Sequence, residues 1–112
     1  LAKNLLKDLI SPNVHHEITI EYIIQVVADH FGITIADILS AKRKSEIVYP
    51  RQIAMYLCRK CTTESLISIG KYMGDRDHTT VIHGAEKIEK ELKFNENTKN
   101  VIDVLLKKIN PN

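Results

Sequence analysis

From its first residue the chain spaces its apolar positions as helices do. Leu1, Leu5, Leu6, Leu9 and Ile10 form one stripe, which Ser11, Pro12 and Asn13 end. His15, His16 and Glu17 read as a polar linker. Thr19 is a suitable N-cap for a helix whose Ile20, Ile23, Ile24, Val27 and Phe31 share one face, and Gly32 closes it. Thr34, with Asp37 three residues on, opens a short helix carrying Ile35, Ile38 and Leu39. A basic loop follows, Ala41-Lys42-Arg43-Lys44-Ser45-Glu46.

Pro50 fits the first turn of the next helix. Its apolar stripe is Ile53, Ala54, Leu57, Cys58 and Cys61, with Arg51, Gln52, Met55, Arg59 and Lys60 off it. Ser65 caps a helix with Leu66, Ile69 and Met73, which Gly74 breaks. Asp77 caps another, with Val81, Ile82, Ala85, Ile88 and Leu92 inward. Asn95 to Asn97 interrupt the chain before a terminal helix carrying Val101, Ile102, Leu105, Leu106 and Ile109. The pattern predicts an all-α fold, a small bundle of five to seven short helices. The 112 residues suffice for one such core without cross-links.

Charge adds something only through its distribution. The formal net charge is +2, too small to argue for a polyanion partner. Yet between Lys42 and Lys60 there are six cations (Lys42, Arg43, Lys44, Arg51, Arg59, Lys60) and one anion, Glu46. No apolar run approaches the roughly 18 residues of a membrane span, no secretory signal is visible, and no glycine-rich phosphate loop is present.

Cys58-x-x-Cys61 followed by His78 and His83 imitates a zinc finger. The intervening segment holds a helix and a turn, too much structure for one finger loop. Cys58 also continues an apolar stripe, where a free thiol behaves as a small hydrophobe. The reading is reduced thiols and no metal. His83 lies off the His78 direction and reads as a packing residue, and Tyr49, Tyr56 and Tyr72 as partial core.

The stretches Leu66–Met73 and His78–Glu91, joined by Gly74, Asp75, Arg76 and Asp77, have the form of a helix-turn-helix. In that motif the second helix enters the major groove, N-terminal residues first. His78, Thr79 and Thr80 stand where base edges would lie. A Thr methyl packs on a thymine methyl, and Asp77 either accepts from a cytosine amino group or caps the helix.

The string Gly74-Asp75-Arg76-Asp77-His78-Thr79-Thr80-Val81-Ile82-His83 closely resembles the signature of the DNA-binding domain of the DnaA family of bacterial replication initiators, usually Gly-Gly-Arg-Asp-His-Thr-Thr-Val-Leu-His. Pro50-Arg51-Gln52-Ile53-Ala54-Met55-Tyr56-Leu57 resembles the family's Pro-Arg-Gln segment, and Ala36-Asp37-Ile38-Leu39-Ser40 before a basic loop matches too. The resemblance spans about Ile18 to Ile88.

It implies sequence-specific binding of double-stranded DNA at replication-origin boxes, and no enzymatic activity in this stretch. It assigns Asp77, His78 and Thr79 to the major groove, and Thr80 to the groove or a phosphate. Arg43 resembles the family's minor-groove arginine, suited to the negative potential of a narrow A·T-rich groove. Arg51 and Gln52 resemble partners of backbone or base edges, and Arg59, Thr62, Ser65 and Arg76 resemble phosphate contacts. Residues 1–16 resemble a connector helix and linker from an upstream ATPase domain, where ATP and self-assembly belong, and 17–112 the DNA-binding domain. A cytoplasmic location is implied. Three departures stand out: Asp75 replaces a Gly, Ile67 a frequent Pro, and Ser45 with Glu46 thin the basic loop. A transcription regulator of the same fold and a protein-interaction module with a basic face are the competing readings.

Overall fold

The computed structural model describes residues 18–111. The helix expected over Leu1–Ile10, its expected break and the expected His15–Glu17 linker lie outside them. Among the described residues there are six helices and no strand: α1 (Ile20–Phe31), α2 (Ile35–Leu39), α3 (Ser45–Cys61), α4 (Leu66–Tyr72), α5 (His78–Glu91) and α6 (Glu96–Ile109).

Short-range capping sets most boundaries. Thr19 Oγ1 accepts from Tyr22 N at 3.1 Å. Gly32 closes α1 in the left-handed region, φ 69°, and its N–H reaches the carbonyls of Ala28 and Asp29. Thr34 and Asp37 form a reciprocal capping box, Asp37 N to Thr34 Oγ1 at 2.9 Å and Thr34 N to Asp37 Oδ2 at 3.4 Å. Ser65 Oγ accepts from Ser68 N at 3.0 Å, so α4 starts regularly despite Ile67 in place of Pro. The last break is shorter than the pattern predicts. Asn95 is itself the N-cap of α6, Oδ1 accepting from Thr98 N, and Glu96 and Asn97 are helical. Each cap contributes about 1 kcal/mol.

The start of α3 departs most from expectation. It begins at Ser45, so Pro50 sits inside the helix rather than in its first turn. Ile47 supplies the reason: at 6% exposure it is core, and burying it stabilises the additional turn. Ile47 N and Val48 N both donate to Lys44 O. Lys44 stands at the N-cap without a side-chain bond, which is why no local signal marks this boundary.

α3 is the central element, with α5 along one side and α1 and α2 packed on it. Its buried arc is therefore wider than one stripe. Met55, expected off the stripe, is 2% exposed. It meets α5 at Gly84, where any β-carbon would lie 2.5 Å from the Met55 sulfur. α6 closes the bundle against α1 and α5. Buried Thr98 is satisfied there, bonded to Tyr49 Oη at 2.7 Å and to Glu91 Oε1 at 3.1 Å.

α3 and α5 run in the same sense where they touch. Gly84 faces Gln52 and Met55, while Ala85 and Glu89 border a groove of about 230 Å³ with Tyr56, Arg59 and Lys60. The N-terminal tip of α5 thus lies toward the Pro50 end of α3, the end from which the basic loop emerges.

Candidate nucleic-acid interface

α4 and α5 form the helix-turn-helix corner. Gly70 lies where the corner closes: Arg76 N donates to Gly70 O at 2.7 Å, and a β-carbon on Gly70 would collide with the Arg76 carbonyl oxygen. The sequence reading passed over this residue. Its signal was a glycine inside an otherwise helical stretch, which usually has a packing reason. Gly74 is left-handed, φ 86°, and packs against the Leu39 carbonyl.

Asp75 follows Gly74 with φ 60°, the left-handed region that glycine normally fills. Asp tolerates it at some cost, below the roughly 1–2 kcal/mol of a bulkier side chain. Asp75→Gly relieves that cost but loosens the unfolded chain by about 0.4–1 kcal/mol, so the two nearly cancel. Thermal melts of the variant are expected within a few degrees of the parent. Its affinity for duplex DNA at low salt is expected to rise about 2–5-fold, because an exposed anion is gone. Unchanged affinity in an anisotropy titration would show that the Asp75 carboxylate is electrostatically remote from DNA.

At the tip, Asp77, His78, Thr79 and Thr80 are all exposed. Asp77 occupies the N-cap position but makes no side-chain cap bond; its carboxylate instead lies 3.1 Å from His78 Nδ1. Thr80 N and Val81 N donate to Asp77 O. The N–H groups of His78 and Thr79 find no acceptor among the described residues, leaving a small positive site. Of the six helices, only α3 and α5 lack a side-chain cap. Their starts are the basic loop and the α5 tip.

In the basic loop, Lys42 Nζ pairs with Asp37 Oδ1 at 2.8 Å, holding the Asp37 carboxyl below its usual range together with the Thr34 backbone. Arg43 and Lys44 are exposed and have no ion-pair partner among the described residues.

Arg51 and Arg76 turn their donors inward. Both were expected at the DNA surface. Arg51 is 6% exposed and its donors go to the chain itself: Nε to Ile38 O at 2.8 Å, Nη1 to Lys42 O at 2.9 Å, Nη2 to Asp37 O at 3.2 Å and Ser40 Oγ at 3.5 Å. Arg76, half-buried, donates to the carbonyls of Leu39, Met73 and Ser40. Burial lowers the pKa of both, and Arg76 adds repulsion at Arg51. Three of these carbonyls, of Asp37, Ile38 and Leu39, belong to the last turn of α2, so two cations sit at the negative end of that helix, while those of Ser40, Lys42 and Met73 lie beyond it.

The remaining expected residues lie elsewhere. Gln52 is half-buried beside Gly84. Arg59 is exposed, bordering the α3–α5 groove near Glu89, about 16 Å beyond His78 along α5 at 1.5 Å per residue. Thr62 ends α3, and its hydroxyl hydrogen is committed to Cys58 O at 2.6 Å, so it has none to give a phosphate. Ser65 only accepts within the protein and keeps its hydroxyl hydrogen. His83 is exposed, not packed. Cys58 is fully buried, its thiol pushed up to about 12 mainly by burial, far from the thiolate a metal needs.

The structure thus joins Arg43 and the α5 tip at one end of the molecule, linked through Arg76, and leaves Arg59, Thr62 and Ser65 toward the other end of α3. Residues 20–88 match the family described as "Bacterial dnaA protein helix-turn-helix". The chain is 55% identical over 111 residues to the chromosomal replication initiator protein DnaA of Lachnoclostridium phytofermentans, and 42% to that of Treponema denticola. In each case 99% of this chain matches 24% of the relative, so the chain spans about a quarter of their length. A solved DNA replication initiation factor superposes with a TM-score of 0.72 at 39% identity, over 80% of this chain and 27% of that one. With the helix-turn-helix in place at α4–α5, the chain belongs to the bacterial DnaA helix-turn-helix family.

Proposed function

We propose that this chain binds double-stranded DNA sequence-specifically, as the origin-box-reading part of a chromosomal replication initiator. One observation carries the reading: an exposed His78-Thr79-Thr80 tip with unspent backbone N–H groups lies at the same end of the molecule as the exposed Arg43. A recognition helix entering the major groove tip-first then has a guanidinium beside it for the neighbouring minor groove. The uncapped starts of α3 and α5 gain their missing partners from phosphate oxygens. Arg59 and Ser65 supply flanking phosphate contacts, which orient the protein without specifying sequence.

ATP binding, self-assembly and duplex opening fall to the remaining three quarters of such an initiator. Among the described residues no helix is long and apolar enough to cross a membrane. Action on the chromosome implies the cytoplasm.

Fluorescence anisotropy with an origin-box duplex and a scrambled duplex tests the reading. The expected affinity is nanomolar for the box, on the order of other specific domains, and falls steeply with salt. Equal binding to both duplexes removes sequence specificity. His78→Ala should relax discrimination at one or two major-groove positions by about 1–3 kcal/mol. If it weakens all duplexes alike, His78 contacts a phosphate instead.

A further inference from the structure

We propose that Arg51 and Arg76 are positioning residues that fix the spacing between the minor-groove loop and the recognition helix, and that neither contacts DNA through its guanidinium. This rests on the DNA-binding reading above and assigns these two side chains a different task from the other cations.

The geometry of the donors carries the proposal. A guanidinium has five N–H donors in a rigid fork and no acceptor. Three of the Arg51 nitrogens bond to Asp37, Ile38, Ser40 and Lys42, and the side chain is buried. Arg76 reaches Leu39 and Ser40 from the α4–α5 turn, and also ties back to Met73 in its own corner. The root of the basic loop is therefore held from two elements at once. Arg51 comes from α3, the scaffold, and Arg76 from the turn immediately before the recognition tip. Gly74 packing on the Leu39 carbonyl brings the turn close enough for Arg76 to reach. Lys42 completes the clamp by its contacts to Asp37 and Ser40.

Two grooves of one duplex must be entered together. A loop free to swing would lose rotational freedom each time Arg43 entered the narrow groove. A loop already bonded to the recognition corner has lost that freedom on folding. Lysine cannot replace either arginine: its single nitrogen cannot span carbonyls on successive residues.

The test is a double-mutant cycle on the full 112-residue chain, with a duplex it selects from a random library. Affinity is measured for wild type, Arg51→Lys, Arg43→Ala and the double variant, with folding checked by circular dichroism. Arg51→Lys keeps the charge. It is expected to weaken binding about 10-fold, and to shrink the penalty for replacing the A·T pairs under Arg43 by G·C, leaving discrimination at the α5 tip unchanged. In the Arg43→Ala background, Arg51→Lys is expected to cost less than about 2-fold, because its effect acts through Arg43. Additive losses overturn the proposal and return Arg51 to direct contact with DNA or to a purely structural role. If Arg51→Lys does not fold, Arg76→Lys carries the same cycle. A wild-type chain that selects no sequence sinks the DNA-binding reading itself, and the proposal with it. Specific wild-type binding with an additive cycle sinks the proposal alone.

Discussion

Gly70→Ala is expected to cost this domain about 3 kcal/mol, a large fraction of its stability. In an ordinary helix the substitution is favourable by about 1 kcal/mol. Here the new methyl would overlap the carbonyl oxygen of Arg76, and a backbone atom cannot rotate away as a side chain does. Arg76 is held in turn by its amide on Gly70 O and its guanidinium on Leu39 and Ser40. Relief therefore requires the whole corner to open. A net loss of about 3 kcal/mol is expected, the upper range for overpacking. At roughly 4–8 °C per kcal/mol for a domain of this size, the melting temperature should fall by about 12–24 °C. Gly32→Ala is the control. Unlike Gly70 it lies at positive φ, yet nothing stands within 4 Å of its would-be methyl, so only about 1 kcal/mol is at stake. A melting temperature for Gly70→Ala close to the Gly32→Ala value would show that the corner yields.

The second large effect concerns Arg43. Its replacement by Ala should weaken binding to the cognate duplex by about 2–3 kcal/mol, roughly 30–150-fold, with no change in melting temperature. The loss should be concentrated on boxes with A·T pairs beside the major-groove site. Lys44→Ala, which removes an equally exposed neighbouring charge, should cost about 1 kcal/mol or less and act alike on every sequence. The two variants separate position from charge. If they weaken binding equally and without regard to sequence, the loop is a diffuse electrostatic patch.

What was legible in the sequence was what local chemistry decides. Thr19, Gly32, Thr34 with Asp37, and Ser65 each announce a boundary because the cap and its partner lie within four residues. The Gly74–His83 string was legible for a different reason: it matches the family signature almost residue by residue, where His78, Thr79 and Thr80 alone look like an ordinary polar first turn. What failed depended on contacts distant in sequence. The α3 start has no capping side chain, so Pro50 looked like the first turn, and only the burial of Ile47 explains the longer helix. Arg51 resembled a partner of backbone or base edges. Its carbonyl partners are nine to fourteen residues away, and a helix end from another element becomes visible only after folding. Met55 was misplaced because α3 is covered on more than one side, which one-face periodicity does not reveal.

One further property follows from the burial of Cys58. Burial pushes its thiol up to about 12, so the thiolate is scarce at pH 8, and no reagent reaches it in the closed state. Once Cys61 is changed to Ser, a chromogenic disulfide reagent should react only as fast as the bundle comes apart, so colour development becomes a clock for opening. Any duplex that prefers the closed form should slow that clock in proportion to its occupancy, which would let affinity be read on unlabelled protein and unlabelled DNA.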